Sequence, residues 1–223
     1  MSKKIKLGVL ISGRGSNLQS IIDASKAGNI DAEVVVVISD KKDAQGLESA
    51  RVNNIDTIFI NPKEYKKREE YDRKVVEELK KYKVALVLLA GFMRIVTSAL
   101  IEPFRDRIMN IHPALLPSFP GINAQRQAIE YGVKFSGCTV HFVEEGMDEG
   151  PIIIQAVVPV SDNDTAESLS KRILKYEHKI YPMAVQFFAE GRLKVEGRRV
   201  AVSGDGAYHL GEGILINPYL NRR

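Results

Sequence analysis

The 223-residue chain has no tryptophan and a single cysteine, Cys138. One thiol rules out an internal disulfide and any metal site built from cysteine alone. Cys138 lies in a strand-like run, where a buried, inert thiol is expected. Histidine is scarce as well: His112, His141, His178 and His209 are the only four, and none has metal-ligand spacing to a carboxylate, so no metal is expected. No apolar run approaches the roughly 18–20 residues that cross a bilayer. Met1-Ser2-Lys3-Lys4 is basic but lacks the apolar core and small-residue cleavage site of a signal peptide. A cytoplasmic protein with no membrane partner is expected.

Hydrophobic residues make up 44% of the chain and charged residues 27%, as in ordinary globular proteins, and the length suits one substantial domain or two small ones. The net charge of +4 does not imply nucleic acid. Lysine and arginine alternate with acids, as in Lys63-Glu64-Tyr65-Lys66-Lys67-Arg68-Glu69-Glu70, which reads as a solvated helix face rather than a phosphate-tracking stripe. No nucleic-acid partner is expected, while a modest positive field favours small anionic ligands.

What is present is a strand–helix rhythm. Ile5–Ile11 reads as a buried strand, followed by the turn Ser12-Gly13-Arg14-Gly15-Ser16-Asn17 and a helix from Leu18. Strands follow at 33–39, 57–60 and 84–89, with helices at 43–53 and 63–81 between them. This pattern predicts an α/β fold, a Rossmann-like doubly wound, mostly parallel sheet. Strands at 134–143 and 152–160, close enough to pair antiparallel, make the C-terminal half mixed. Ala124–Tyr131 reads as a helix. Asn163-Asp164-Thr165 caps a long helix to about Glu190, expected to be interrupted near Tyr181-Pro182. A hairpin is expected over 193–202, and residues 203–223 form a tail with no clear period.

The Gly-rich turn permits two readings. It is either a helix cap, with Ser16 or Asn17 capping, or an anion site where backbone N–H groups at the helix start face a ligand. It is not a P-loop, and Leu18 stands where a dinucleotide fingerprint has its third glycine, so a lone phosphate fits better than a pyrophosphate.

Two further stretches carry chemistry. In Asn110-Ile111-His112-Pro113-Ala114-Leu115-Leu116-Pro117-Ser118-Phe119-Pro120-Gly121, an amide and an imidazole stand two apart on a short strand that Pro113 terminates. A donor and a titratable ring fixed together suit a reaction that builds negative charge on oxygen. The second is the acidic, glycine-bracketed loop from Glu144 to Gly150, which follows the strand ending in His141-Phe142-Val143. His141 reads as a strand residue supporting that loop, with a direct role as the alternative.

Five motifs in order resemble the folate-dependent formyltransferases, most closely the branch acting on glycinamide ribonucleotide in purine synthesis. They are Ile11–Gln19, Ala90-Gly91-Phe92-Met93-Arg94, Asn110-Ile111-His112-Pro113 with Leu115-Leu116-Pro117, the Asp148 loop, and Glu177-His178 with Tyr181-Pro182. The resemblance covers roughly residues 5–200. It implies a single formyltransferase domain over 1–202, with a phosphate-binding half (1–110) and a catalytic and folate half (111–202), and leaves 203–223 unassigned. It implies that the amine of glycinamide ribonucleotide attacks the formyl group of 10-formyltetrahydrofolate directly, through a tetrahedral intermediate. Asn110, His112 and Asp148 then correspond to the catalytic trio. Gly15, Ser16 and Asn17 take the phosphate, and Leu174, Lys175, Tyr176 and Glu177 surround the rest of the ribonucleotide. Arg68, Met93, Arg94, Ile95, Val96 and Asn110, with the loop residues Glu144, Glu145, Gly146, Met147 and Asp148, correspond to folate-contacting positions. The family also tends to carry a cis peptide at the position of Leu116-Pro117. The chain departs from the pattern at Arg14, where Asn is frequent, and at Ala114, where Ser is frequent.

Rival readings differ by acceptor or by class. Methionyl-tRNA formyltransferase shares the trio but is expected to carry a nucleic-acid-binding domain, for which the tail is too short. Formyltetrahydrofolate deformylase is expected to carry an N-terminal regulatory domain. A nucleotide-binding oxidoreductase or a non-catalytic module on the same sheet is permitted by fold alone. A monomer or homodimer is expected.

Overall fold

The computed structural model describes residues 4–204 and 216–217. Its fold is mixed α/β, mostly parallel, with antiparallel strands toward the C-terminus, as the rhythm predicts. The chain forms two compact units, Met1–Asn110 with Val143–Glu145, and Ile111–Phe142 with Gly146–Arg223.

The first unit contains β1 (Ile5–Ile11), α1 (Ser16–Lys26), β2 (Ala32–Ser39), α2 (Gln45–Val52), β3 (Asp56–Phe59), α3 (Arg68–Lys81), β4 (Leu86–Leu89), the short α4 (Ser98–Ile101) and the start of β5 (Ile108–His112). The strand order is β3-β2-β1-β4-β5, with every neighbouring pair parallel. The apolar run Val34–Ile38 and the all-buried β4 are what a sheet covered on both faces requires. Helix α3 contributes Tyr71, Val75, Val76 and Leu79 to the core, a helical apolar stripe. It packs so closely that a Cβ on Gly8 would lie 2.4 Å from Leu79 Cδ2. The sequence places this helix start near Lys63, but it begins at Arg68. Residues Pro62–Glu64 form a separate 3-10 turn capped by Asn61. The Glu70 carboxylate then accepts from the Lys66 and Lys67 N–H groups and fixes the true start.

The second unit holds α5 (Ala124–Tyr131), β6 (Phe135–Phe142), β7 (Ile152–Pro159), α6 (Ala166–Ala189), β8 (Leu193–Glu196), β9 (Arg199–Val202) and β10 (Ile216–Asn217). Strands β6 and β7 pair antiparallel, β8 and β9 form the expected hairpin, and β9 touches β7 in parallel at Ile152↔Arg199. β10 pairs antiparallel with β7 at Ala156 and Gln155. It lies in the tail that the sequence leaves unassigned; residues 205–215 and 218–223 of that tail, His209 included, fall outside the described residues. Thr165 caps α6 by accepting from the Ser168 N–H, and Arg172 clamps Asp164 with contacts of 2.6 and 2.9 Å. These bonds hold the Asp164 carboxyl far below its usual range, Arg172 contributing most. The expected break at Pro182 does not occur: α6 runs unbroken through it. Tyr181, Pro182, Ala184, Val185 and Phe187 are all buried, and packing of that stretch outweighs the lost backbone bond. Leu116-Pro117 is cis.

The β6–β7 pair approaches so closely that a Cβ on Gly137 would stand 1.9 Å from the Ala156 carbonyl oxygen and 2.8 Å from Leu115 Cδ2. Gly137→Ala should therefore destabilise the protein by about 3 kcal/mol, a fall of roughly 6–12 °C in Tm. Gly13→Ala, with nothing within 4 Å of the added carbon, should stay within about 0.5 kcal/mol. Equal melting of the two variants would contradict this packing.

Candidate active site

In the second unit, the chemistry gathers where β5 ends. Pro113 stops the strand, and the segment that follows turns through left-handed residues at Phe119 (φ 54°), Gly121 (φ 81°) and Asn123 (φ 58°). A bulky side chain rarely adopts this conformation. The turn brings the Phe119 carbonyl oxygen to 2.8 Å from His112 Nε2. A carbonyl only accepts, so Nε2 carries a proton. The other ring nitrogen, Nδ1, stands 3.3 Å from Asp148 Oδ2. Both ring nitrogens therefore face acceptors. The same Asp148 oxygen accepts from the Gly121 N–H at 2.8 Å, which ties the proline-rich segment to the acidic loop. Asp148 is itself left-handed (φ 57°), and the His112 and Asp148 side chains are 5% and 14% exposed. Met147 is exposed but closes over Gly121, where an added Cβ would lie 2.9 Å from its sulfur.

His141 is buried on β6, with Nε2 3.8 Å from Asp148 Oδ1 and Nδ1 donating to the Phe142 carbonyl at 2.8 Å. Burial pushes its imidazole below the ordinary value. The Phe142 bond and the Asp148 charge oppose that only partly, and the His112 charge adds to it. His112 is the nearer of the two rings to Asp148, at 3.3 Å against 3.8 Å. Thr139, which the sequence reading does not single out, is buried beneath the segment; its hydroxyl donates to the Ala114 carbonyl and accepts from the Leu116 N–H. The turn contacts of Phe119 and Gly121 also escape the sequence reading, because both act through the backbone. Three prolines and a glycine in one short run were the signal that this backbone is fixed. On α6, Glu177 is buried, Leu174 and Tyr176 are half-buried and Lys175 is exposed. The Lys179 ammonium lies 5.4 Å from the Tyr176 ring centroid.

In the first unit, the Gly-rich turn ends in Gly15, which is left-handed (φ 78°) and is itself the N-cap of α1. No side chain caps this helix, so neither Ser16 nor Asn17 serves as the cap. An uncapped helix start suits an anion. The Gly46 N–H donates to the Gly13 carbonyl at 3.1 Å, and a Cβ on Gly15 would meet the Gly46 Cα at 2.7 Å. Glycine is required there on both counts. Ser16 is half-buried, Asn17 is buried and Arg14 is exposed.

The segment after β4 is fastened by Ser12, whose N–H donates to the Gly91 carbonyl at 3.1 Å and whose hydroxyl accepts from the Met93 N–H at 2.9 Å. Met93 and Ile95 stand 69% and 49% exposed, while Phe92 and Val96 belong to the core. Any ligand contact by Val96 is therefore through its backbone. Arg94 stacks on Tyr71, 4.6 Å from guanidinium carbon to ring centroid. Arg68, Glu144 and Glu145 are exposed, and Asn110, half-buried, lies on β5 two residues before His112. Among the described residues, no group of three or more His, Cys, Asp or Glu could hold a metal ion. No described helix is long and apolar enough to cross a membrane.

The family profile described as formyl transferase matches residues 5–185. The chain belongs to the formyl transferase family, which places it among the transferases. Within that family it is 45% identical over 196 residues to the phosphoribosylglycinamide formyltransferase of Escherichia coli (strain K12), covering 88% of this chain and 92% of that one. The crystal structure of glycinamide ribonucleotide transformylase 1 from Symbiobacterium toebii superposes with a TM-score of 0.89 at 54% identity, over 91% of this chain and 95% of that chain. The trifunctional purine biosynthetic protein adenosine-3 of Homo sapiens is 46% identical over 193 residues, 86% of this chain, but the match spans only 19% of that longer protein.

The buried His141 has a consequence for pH. The folded state takes up its proton less readily than the unfolded chain does. Its contribution to stability is therefore lost as the pH falls below the unfolded value of about 6.5. Urea melts at pH 7, 6 and 5 should show a shallower acid loss in His141→Gln than in the wild type. Parallel losses would show that His141 is not held neutral.

Proposed function

We propose that the protein transfers the formyl group of 10-formyltetrahydrofolate to the amine of glycinamide ribonucleotide, giving formylglycinamide ribonucleotide and tetrahydrofolate in purine synthesis. The observation that carries this reading is the His112–Asp148 pair at 3.3 Å, its imidazole fixed from the other side by the Phe119 carbonyl. Similarity over nearly the full length of relatives named phosphoribosylglycinamide formyltransferase and glycinamide ribonucleotide transformylase supports it. Both ligands enter as substrates, and the folate supplies the activated formyl group.

The chain supplies the rest. The Asn110 amide donates to the formyl oxygen as that oxygen gains negative charge. His112 donates to the same oxygen by exchanging one of its two present acceptors. Asp148 faces the ring at Nδ1 and relays, through a water, the proton released by the attacking amine to N10 of the folate, which departs as its bond to the formyl carbon breaks. No covalent bond to the enzyme forms. We assign the phosphate to Gly15, Ser16 and Asn17, and the remaining ribonucleotide to Leu174, Lys175, Tyr176 and Glu177. We assign the folate to Arg68, Met93 to Val96, Asn110 and Glu144 to Asp148. Exposed Met93 and Ile95 on a fastened loop offer the apolar surface that a flat ring system takes. On this reading residues 1–202 act as one formyltransferase domain, its phosphate half at 1–110 and its catalytic half at 111–202. The protein works in the cytoplasm as a monomer or homodimer.

The test is steady-state transfer between the two substrates. Wild type should transfer; Asp148→Asn should lose at least about a hundredfold in kcat/KM, and Asn110→Ala about 10²–10³. A folded wild type that does not transfer, or an Asp148→Asn variant within a few-fold of it, would overturn the assignment.

A further inference from the structure

We infer that Asp72 is a positioning residue: from inside the core it fixes the loop over residues 90–97, and so sets where Met93, Arg94 and Ile95 stand. Asp72 is 3% exposed, on the apolar stripe of α3 between Tyr71 and Val75. Burying a carboxylate there costs free energy that a leucine would not, and burial does push its carboxyl above the ordinary value. What the carboxylate gains is one residue. Its Oδ2 accepts from the Thr97 N–H at 2.6 Å and from the Thr97 hydroxyl at 2.8 Å.

Thr97 is the N-cap of α4, where a threonine hydroxyl ordinarily accepts from the first turn. It makes no such bond here. The hydroxyl donates to Asp72 instead, so the cap role is given up for the link to α3. The far end of the loop is held by Ser12, through Gly91 and Met93. Between these anchors Arg94 lies on the face of Tyr71, the residue preceding Asp72. The Tyr71 hydroxyl is buried with no hydrogen-bond partner among the described residues, so the ring serves through its face.

The loop has no regular secondary structure to hold it, yet it turns Phe92 and Val96 inward and holds Met93 and Ile95 outward between them. Two large apolar side chains held out by a buried acid are an arrangement for binding rather than for stability. The ligand they meet follows from the proposed function: the folate.

The test uses the full-length protein with Asp72→Leu, Asp72→Asn and Thr97→Val. Asparagine keeps an oxygen that can accept both bonds, so it should retain a folate KM within about threefold of wild type. Asp72→Leu should raise that KM about tenfold, and Thr97→Val by a smaller factor, as expected for losing bonds to a charged acceptor. The ribonucleotide KM and kcat should stay within about twofold. Hydrogen exchange provides the arm that does not depend on the substrate assignment. In Asp72→Leu the Thr97 and Met93 amides should exchange faster, with those of β1 and β4 unchanged. If both Michaelis constants rise together, or if the loop amides exchange at the wild-type rate, Asp72 is merely a core residue and the inference falls. If wild type transfers no formyl group but the loop amides respond, the function fails and the positioning role stands.

Discussion

The second unit depends on one constraint: the His112 ring is held between a carboxylate and a carbonyl. Two acceptors on opposite nitrogens leave the imidazole little freedom to rotate. The surrounding structure serves that clamp. The Phe119 carbonyl reaches Nε2 only because Phe119 and Gly121 turn left-handed. Asp148 reaches Nδ1 from another left-handed turn, and the Gly121 N–H fixes its oxygen. Thr139, at the base, holds the backbone on either side of Leu115. His141 faces the same carboxylate from 3.8 Å, and burial holds its imidazole below the ordinary value.

The first unit solves a different problem, which is to present backbone and apolar surface without collapsing them. Gly15 and Gly46 allow two helix starts to approach within a distance that no Cβ tolerates, and α1 is left without a side-chain cap. The loop after β4 is pinned at Ser12 and at Asp72 instead of being folded into a helix.

Much of this was legible in the sequence because it rests on local pattern. The apolar runs at Leu7–Ile11 and Val34–Ile38, the strand-like run around Cys138 and the Asn163–Thr165 cap each contain their own cause. What was not legible rests on long-range contacts. Pro182 reads as a break because its missing N–H is local, whereas the packing that carries α6 past it comes from elsewhere in the fold. The late start of α3 turns on which N–H groups the Glu70 carboxylate reaches. β10 exists only as a partner of β7, so no periodicity announces it. In the site, His112 and Asp148 stand out by type, but the Phe119 carbonyl and Gly121 N–H belong to every residue and are found only in three dimensions. Asp72 likewise reads as one more charge on a solvated helix until its burial is seen.

The most direct measurement follows a ¹³C-labelled formyl group by NMR through one turnover with excess enzyme, 10-formyltetrahydrofolate and glycinamide ribonucleotide. If the clamped His112 serves direct attack by the amine, the label moves from the folate to the ribonucleotide amide and no labelled formate appears. Labelled formate as the main product, or a label that stays on the folate while both ligands are bound, would contradict the account.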